Sequence, residues 1–219
     1  MALIAHYHPG DVINILRHNA RESRASQTRS SIDRTRSYLN YSVIPDRGMS
    51  DREYFRRRRD ELKYVKRKDL RMMTEVIVTK PQDLAMERSK EFFEKTYDYF
   101  SEKYGAKNII CAQVHMDETT PHIHVDILNE FNGKINAADK FWKKDGYNNL
   151  HPELQQYLHE HGVPANIITG ITKQQGRAYT VDQLKAGERE KDMMRARERE
   201  NPFSAYNRER NAQHERERR

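Results

Sequence analysis

The chain has 219 residues, enough for one domain with a substantial core plus a tail, and its formal net charge is +7. A single cysteine, Cys111, excludes an internal disulfide and fits a reducing cytoplasm. No apolar stretch approaches the ~20 residues that a transmembrane helix requires, and no signal-peptide pattern opens the sequence. The composition therefore favours a cytoplasmic protein without a membrane span.

Positive charge is concentrated in the first third of the chain. Residues 1–70 contain 16 Lys and Arg against 9 Asp and Glu, which accounts for the whole excess. Six of these arginines lie between residues 17 and 36, and residues 56–59 form a second block. Such clusters are typical of surfaces that bind a phosphate backbone. A solvated helix face also explains the block 56–59, because acidic residues flank it, but it explains the stretch 17–36 poorly.

Short strands and helices alternate along the chain. The patterns predict a strand at 2–7, a helix capped by Asp11, a loop or arm at 22–36, a strand at 38–44, a charged helix from Ser50 to about 65, a strand at 72–79, a helix from about 83 to 103, an edge strand at 134–136 after the Asn132-Gly133 turn, and a helix at 147–161. This order indicates an α+β domain with an antiparallel central sheet. From Gly187 onward the chain is almost wholly charged or polar, which suits an exposed helix or a disordered tail.

Three histidines and two carboxylates lie within ten residues, from His115 to His124. His122 and His124 are separated by one apolar residue, so on a strand they share a face about 6.5 Å apart. His115 ends the preceding apolar run, and a hairpin would return it to the other two. Pro121 forbids a helix through His122, which excludes the helical spacing of zinc proteases.

Three imidazoles on one face form a suitable ligand set for a divalent transition metal. A metal held in this way keeps positions open for substrate oxygens and can polarise a phosphoryl group. Because the basic stretch indicates nucleic acid, we predict phosphodiester cleavage. The nucleophile is either water, as in a simple nuclease, or a side chain, which would form a covalent intermediate and conserve the bond for religation.

Residues 115–124, His-Met-Asp-Glu-Thr-Thr-Pro-His-Ile-His, resemble the H-x-D-E-x-x-P-H-x-H signature of the Mob/Pre plasmid relaxases, the MobV family of HUH endonucleases. Three more segments resemble this family in the correct order: residues 17–21 (its H-N-x-R motif), residues 36–41 (its R-S-x-L-N-Y motif) and residues 99–108 before the metal strand. The resemblance covers about residues 1–185. It implies a relaxase domain over 1–186 with an HUH-type antiparallel sheet and flanking helices. Residues 187–219 would be a charged tail, or the start of a longer C-terminal region through which any dimer would form.

The resemblance implies an enzyme that acts on a plasmid origin of transfer, whose DNA is single-stranded and forms a hairpin near the nick. The enzyme would be a nickase and strand transferase that uses Mn²⁺ or Mg²⁺. It stays attached to the 5′ phosphate and later rejoins the strand. The resemblance makes His115, His122 and His124 the metal ligands and Glu118 a catalytic carboxylate. It makes His18 the nucleophile, and a tyrosine such as Tyr41, the residue type that other HUH enzymes commonly use, is the alternative.

The resemblance also implies that Arg21 holds a phosphate oxygen, and that Arg36, Tyr41 and Tyr104 are DNA contacts. Asp117 is predicted to hydrogen-bond a ligand imidazole. Two alternatives stay open. A rolling-circle replication initiator of the same superfamily would need a helical tyrosine after the metal motif, and a DNA-binding repressor would use the histidines structurally.

Overall fold

The computed structural model describes residues 2–23, 31–67, 69–135 and 144–168. Its strands and helices in chain order are β1 (Ala2–Tyr7), α1 (Val12–Asn19), β2 (Tyr41–Ser42), α2 (Asp51–Asp60), β3 (Met73–Thr79), α3 (Ser89–Tyr104), β4 (Ile109–His115), β5 (His122–Leu128), β6 (Glu130–Phe131), β7 (Lys134–Ile135) and α4 (Lys144–Glu160). Short 3₁₀ helices, Arg34–Leu39, Met86–Arg88 and Ala106–Asn108, precede β2, α3 and β4. The compact unit Met1–Thr169 contains all of these elements. The predicted tail and the predicted boundary near residue 186 lie outside the described residues.

Five strands form one sheet in the order β1-β3-β5-β4-β2, and every neighbouring pair is antiparallel. The predicted α+β class with an antiparallel central sheet is therefore confirmed. β6 and β7 pair separately through the predicted turn, where Asn132 and Gly133 have left-handed φ values of 51° and 74°. Two such residues in succession match the twist of a two-residue hairpin loop.

Helices cover both faces of the sheet, and each pair of helices has its own core. Phe92 of α3 and the leucines of α4 pack with Ile123 and Val125 on one side of β5, which we call the α3 face. Leu16 of α1 and Phe55 of α2 pack on the opposite side, which we call the α1 face. Because side chains alternate along a strand, the even-numbered residues of β5 point to the α1 face.

Helix boundaries follow local chemistry. A capping box of Ser50 and Glu53 begins α2 where it was predicted, but α2 ends at Asp60 rather than near 65, because the chain leaves the helix to pair Lys63 with β7. α3 begins at Ser89, later than predicted, after a turn and a 3₁₀ segment. Asp11 is the N-cap residue of α1, although its carboxylate makes no capping hydrogen bond.

The strand predicted over 38–44 is mostly wrong. Residues 34–39 form the first 3₁₀ helix, where Asp33 accepts a capping hydrogen bond from the backbone of Thr35 at 3.0 Å, and only Tyr41–Ser42 pairs with β4. The polar side chains of this segment bind the site described below, which outweighs its strand-like pattern. Within the described residues, no helix is long and apolar enough to cross a bilayer.

Candidate metal centre and active site

The three histidines of the motif converge on the α1 face of the sheet. His115 ends β4 and pairs directly with His122 at the start of β5, and His124 follows two residues later on the same face. Their ligand nitrogens all lie within 4.8 Å of one another. This geometry confirms the predicted hairpin and the predicted convergence of the rings.

Hydrogen bonds fix which nitrogen of each ring on β5 is left for a ligand. Nδ1 of His122 donates to the carbonyl oxygen of Thr120 at 2.8 Å, and Nδ1 of His124 donates to Oε1 of Glu75 at 2.7 Å. In the neutral form of both rings, which is the form that binds a metal, the proton therefore lies on Nδ1, and the two Nε2 lone pairs face each other at 3.1 Å. Two lone pairs in this arrangement repel unless a cation lies between them.

The third ring completes the ligand set. Nε2 of His115 donates to the carbonyl oxygen of Asn19 at 2.8 Å. Its Nδ1 is buried and has no hydrogen-bond partner in the described part of the chain, although an orphaned buried acceptor is unfavourable. One Nδ1 and two Nε2 atoms thus fit a divalent metal ion, with second nitrogens anchored as metal-binding histidines require.

Burial keeps two of these imidazoles, His115 and His122, neutral. It lowers the pKa of His115 to about 2, with the nearby His124 as a smaller cause. Burial likewise lowers the pKa of His122, and His124 again adds to the effect. Because a neutral imidazole is the form that binds metals, both rings are ready to ligate near pH 7.

Glu75 on β3 is the carboxylate that orients the ligand His124, a role that no sequence motif predicted. Besides His124, it accepts hydrogen bonds from the Tyr7 hydroxyl at 2.7 Å and from Nδ2 of Asn19 at 3.0 Å. Burial alone would raise the pKa of Glu75, but these hydrogen bonds, led by that of His124, lower it. The sequence does contain one signal for this role, because Glu75 is the only carboxylate in the otherwise apolar and β-branched run 73–79.

Asp117 was predicted to hydrogen-bond a ligand imidazole, but its partners in the structure are other side chains. Its buried carboxylate accepts hydrogen bonds from Arg21 at 2.5 and 3.1 Å, from Ser37 at 2.7 Å and from Asn40 at 2.8 Å. Burial would raise its pKa, but these donors, led by Arg21, hold the pKa well below the usual range. Asn40 also accepts from the backbone of Met116 at 2.7 Å. Asp117 therefore fastens the 3₁₀ segment that carries the R-S-x-L-N-Y motif to the metal hairpin.

Arg21 links Asp117 to Glu118. Its Nη2 donates to Oε1 of Glu118 at 2.9 Å, and that same oxygen lies 3.9 Å from Nε2 of His122. Arg21 has a left-handed φ of 59°, which turns the chain sharply after α1. Its Nη1 is buried without a hydrogen-bond partner among the residues described, so the guanidinium retains a donor for an anionic oxygen.

The amino-terminal motif lies beside the triad. His18 is a half-buried residue in the last turn of α1, immediately before Asn19, whose carbonyl contacts His115. Arg36 is half-buried on the 3₁₀ helix, next to Ser37. The structure thus brings the end of α1, Arg21 and Glu118 to the histidines.

Two predicted DNA contacts lie on the other side of the sheet. Tyr41 pairs with Val114 and packs on the α3 face, where burial, with a smaller effect of Glu94, raises its pKa to about 12. Tyr104 ends α3 and stacks on Phe100 at 6.1 Å between ring centroids. Both tyrosines therefore lie away from the histidine triad, and their contact with DNA stays a prediction. Tyr157 of α4 packs on the same α3 face. The helical nucleophile of a replication initiator would have to lie beside the metal centre, on the opposite face.

The arginine block on α2 is largely neutralised by neighbouring carboxylates. Its ion pairs are Arg57–Glu61, Arg58–Glu61 and Arg59–Asp60. These pairs favour the solvated helix face over a phosphate-binding surface for this block. Residues 24–30 of the other basic stretch lie outside the described residues.

Related proteins match most of this sequence. The Mob_Pre family profile, described as "Plasmid recombination enzyme", matches residues 1–185. A plasmid recombination enzyme of Lactiplantibacillus plantarum is 30% identical over 183 residues, covering 80% of this chain and 50% of the relative. One from a Bacillus sp is 34% identical over 164 residues, covering 68% of this chain and 38% of the relative. The chain thus spans half or less of the length of these curated relatives.

Solved structures share the fold. The MobM relaxase domain (MOBV; Mob_Pre), in a Mn-bound crystal structure with plasmid pMV158 oriT DNA at pH 6.8, has a TM-score of 0.72 and 27% identity to this chain. The match covers 85% of this chain and 97% of that domain. Together with the histidine geometry and the family profile, it confirms the resemblance drawn from the four motifs: the chain belongs to the Mob_Pre family of plasmid recombination enzymes.

Proposed function

We propose that this chain is the nicking and strand-transfer domain of a plasmid relaxase. The observation that carries the proposal is the triad of imidazoles, with their ligand nitrogens within 4.8 Å of one another, beside the paired Arg21 and Glu118. Its relatives are plasmid recombination enzymes, and the MobM domain that shares its fold was crystallised with oriT DNA and manganese. By extension, the substrate is a plasmid origin of transfer.

The residues that would hold the metal are His115 through Nδ1 and His122 and His124 through Nε2. An all-nitrogen protein ligand set favours a transition metal over Mg²⁺, which prefers oxygen ligands, so we propose Mn²⁺. Such a cation polarises a phosphoryl oxygen and neutralises the charge that develops on it. The free donor of Arg21 would hold a second phosphate oxygen.

His18 is the proposed nucleophile, because its motif lies at the end of α1 that contacts the triad. A ring nitrogen of His18 attacks phosphorus, so an N–P bond forms while the bond from phosphorus to O3′ breaks. The electron pair of the broken bond goes to O3′, which takes a proton from water and leaves as the 3′ end. Glu118 takes the proton that the imidazolium loses. The product is a phosphoramidate on the 5′ end, and attack by a 3′ hydroxyl reverses these steps and rejoins the strand.

The test is adduct formation on a supercoiled plasmid bearing the cognate origin, with Mn²⁺ present. We expect relaxed circles with protein attached to one strand, and mass spectrometry of the digested adduct should place the DNA on His18. His18→Ala should abolish the adduct while keeping DNA binding. His161→Ala, an exposed histidine of the α3 side, is the matched control and should react normally.

Survival of the adduct in His18→Ala would refute this nucleophile. A wild-type protein that binds the origin without cleaving it, and binds equally well after Glu118→Ala, would instead support a repressor with a structural metal site.

A further inference from the structure

We propose that Asn19 is a positioning residue that ties the helix carrying His18 to the histidine triad; this rests on the function proposed above. Asn19 is the last residue of α1 and is fully buried. Its backbone carbonyl accepts the hydrogen bond from Nε2 of His115 at 2.8 Å. That contact decides that Nδ1 of His115 faces the other two ligands.

The side chain of Asn19 contacts two carboxyl groups, one on β3 and one on β5. Its Nδ2 donates to Oε1 of Glu75 at 3.0 Å and to Oδ2 of Asp126 at 2.9 Å. The same Oε1 of Glu75 accepts from Nδ1 of His124. One residue therefore contacts a ligand on β4 directly and orients a ligand on β5 through Glu75.

Asn19 is fully buried, and a short amide supplies both side-chain donors that these contacts require. The two protons of Nδ2 bridge two carboxyl groups that would otherwise face each other across a buried gap. An aspartate would add a third carboxylate, and a leucine would keep the shape but lose both donors. Because His18 directly precedes Asn19, the same contacts set where the nucleophile lies relative to the metal centre.

The test is Asn19→Leu in the full chain, measured in three ways. Titration calorimetry of Mn²⁺ into metal-free protein should show affinity weakened by about 10- to 100-fold, the range for partners that orient ligands. At saturating Mn²⁺ and saturating origin oligonucleotide, adduct formation in a single turnover should slow by about tenfold or more. The dissociation constant for the oligonucleotide should stay within about threefold, since Asn19 is buried away from the substrate.

Asn108→Leu is the matched control. Asn108 is also a buried asparagine, and its Nδ2 donates to Glu130 and to the carbonyl of Tyr104, each at 3.0 Å, at the other end of β4. It should lower thermal stability without changing Mn²⁺ affinity or the rate of adduct formation.

Mn²⁺ affinity within twofold of wild type in Asn19→Leu, or an equal loss in Asn108→Leu, would overturn the proposal. If Asn19→Leu does not fold, Asn19→Ser, which keeps one donor, is judged by the same affinity criterion. If the wild type binds Mn²⁺ but forms no adduct, the proposed function fails while the calorimetry still decides the role of Asn19.

Discussion

Glu75→Gln tests the electrostatic link between the β3 carboxylate and the metal ligand His124. Glutamine keeps the length of the side chain and an oxygen that can accept from Nδ1 of His124, now 2.7 Å from Oε1. The charge is lost, and the amide nitrogen that replaces Oε2 can no longer accept from the Tyr7 hydroxyl. Both side chains are less than a tenth exposed, at 7% for His124 and 5% for Glu75, so solvent screens the pair little.

The magnitude follows from this geometry. A hydrogen bond to a charged group contributes ~1.5–3 kcal/mol against ~0.5–1.5 for a neutral one, so the charge accounts for about 1–1.5 kcal/mol. At ~1.4 kcal/mol for each factor of ten, the affinity for Mn²⁺ should weaken by about 5- to 12-fold. The carboxylate makes the imidazole a stronger ligand, and the neutral amide does so less.

Calorimetric titration of Mn²⁺ into chelator-treated protein at pH 7.5 measures the effect. The control is Glu153→Gln, which removes the same charge from α4, where Glu153 pairs with Lys103 and is 44% exposed. Its affinity for Mn²⁺ should equal that of the wild type. A Glu75→Gln protein that binds Mn²⁺ within twofold of the wild type would refute the electrostatic link, and an equal loss in the control would reduce it to an effect of net charge.

Two further predictions concern stability. In metal-free protein, the free energy of unfolding should fall as the pH drops below about 6.5. The unfolded state then binds protons at His115 and His122 that the folded state, with both pKa values lowered by burial, does not bind. Urea unfolding between pH 7 and 5 should show a slope of up to ~1.4 kcal/mol per pH unit for each histidine, reduced in His115→Gln; a flat profile would contradict the neutral buried rings. Asp117→Ala leaves the guanidinium of Arg21 without its bidentate partner and should cost ~3–5 kcal/mol in urea unfolding at pH 7. The surface control Asp98→Ala should change stability by under ~0.5 kcal/mol, and a loss below ~1 kcal/mol in Asp117→Ala would show that the network is dispensable.

Local pattern was sufficient for the metal hairpin. Alternation along a strand puts His122 and His124 on one face whatever surrounds them, and the short loop after His115 leaves a hairpin as the simplest return path. The class of fold followed from the same logic, because strands and amphipathic helices have different periods. The helix start at Ser50 and the turn at Asn132 were also predicted correctly, since the effects of cap and turn residues extend over only three or four residues.

Tertiary structure decided what each of the remaining polar residues does. Glu75 lies 49 positions from His124, and Asn19 lies 96 positions from His115, so nothing local links either pair. Register across β3 and β5 and the docking of α1 create both contacts. The same packing placed Tyr41 on the face opposite the histidines and gave Asp117 to Arg21 instead of an imidazole. A motif names the side chains that take part in the chemistry, but the choice of hydrogen-bond partners depends on which elements pack against each face of the sheet.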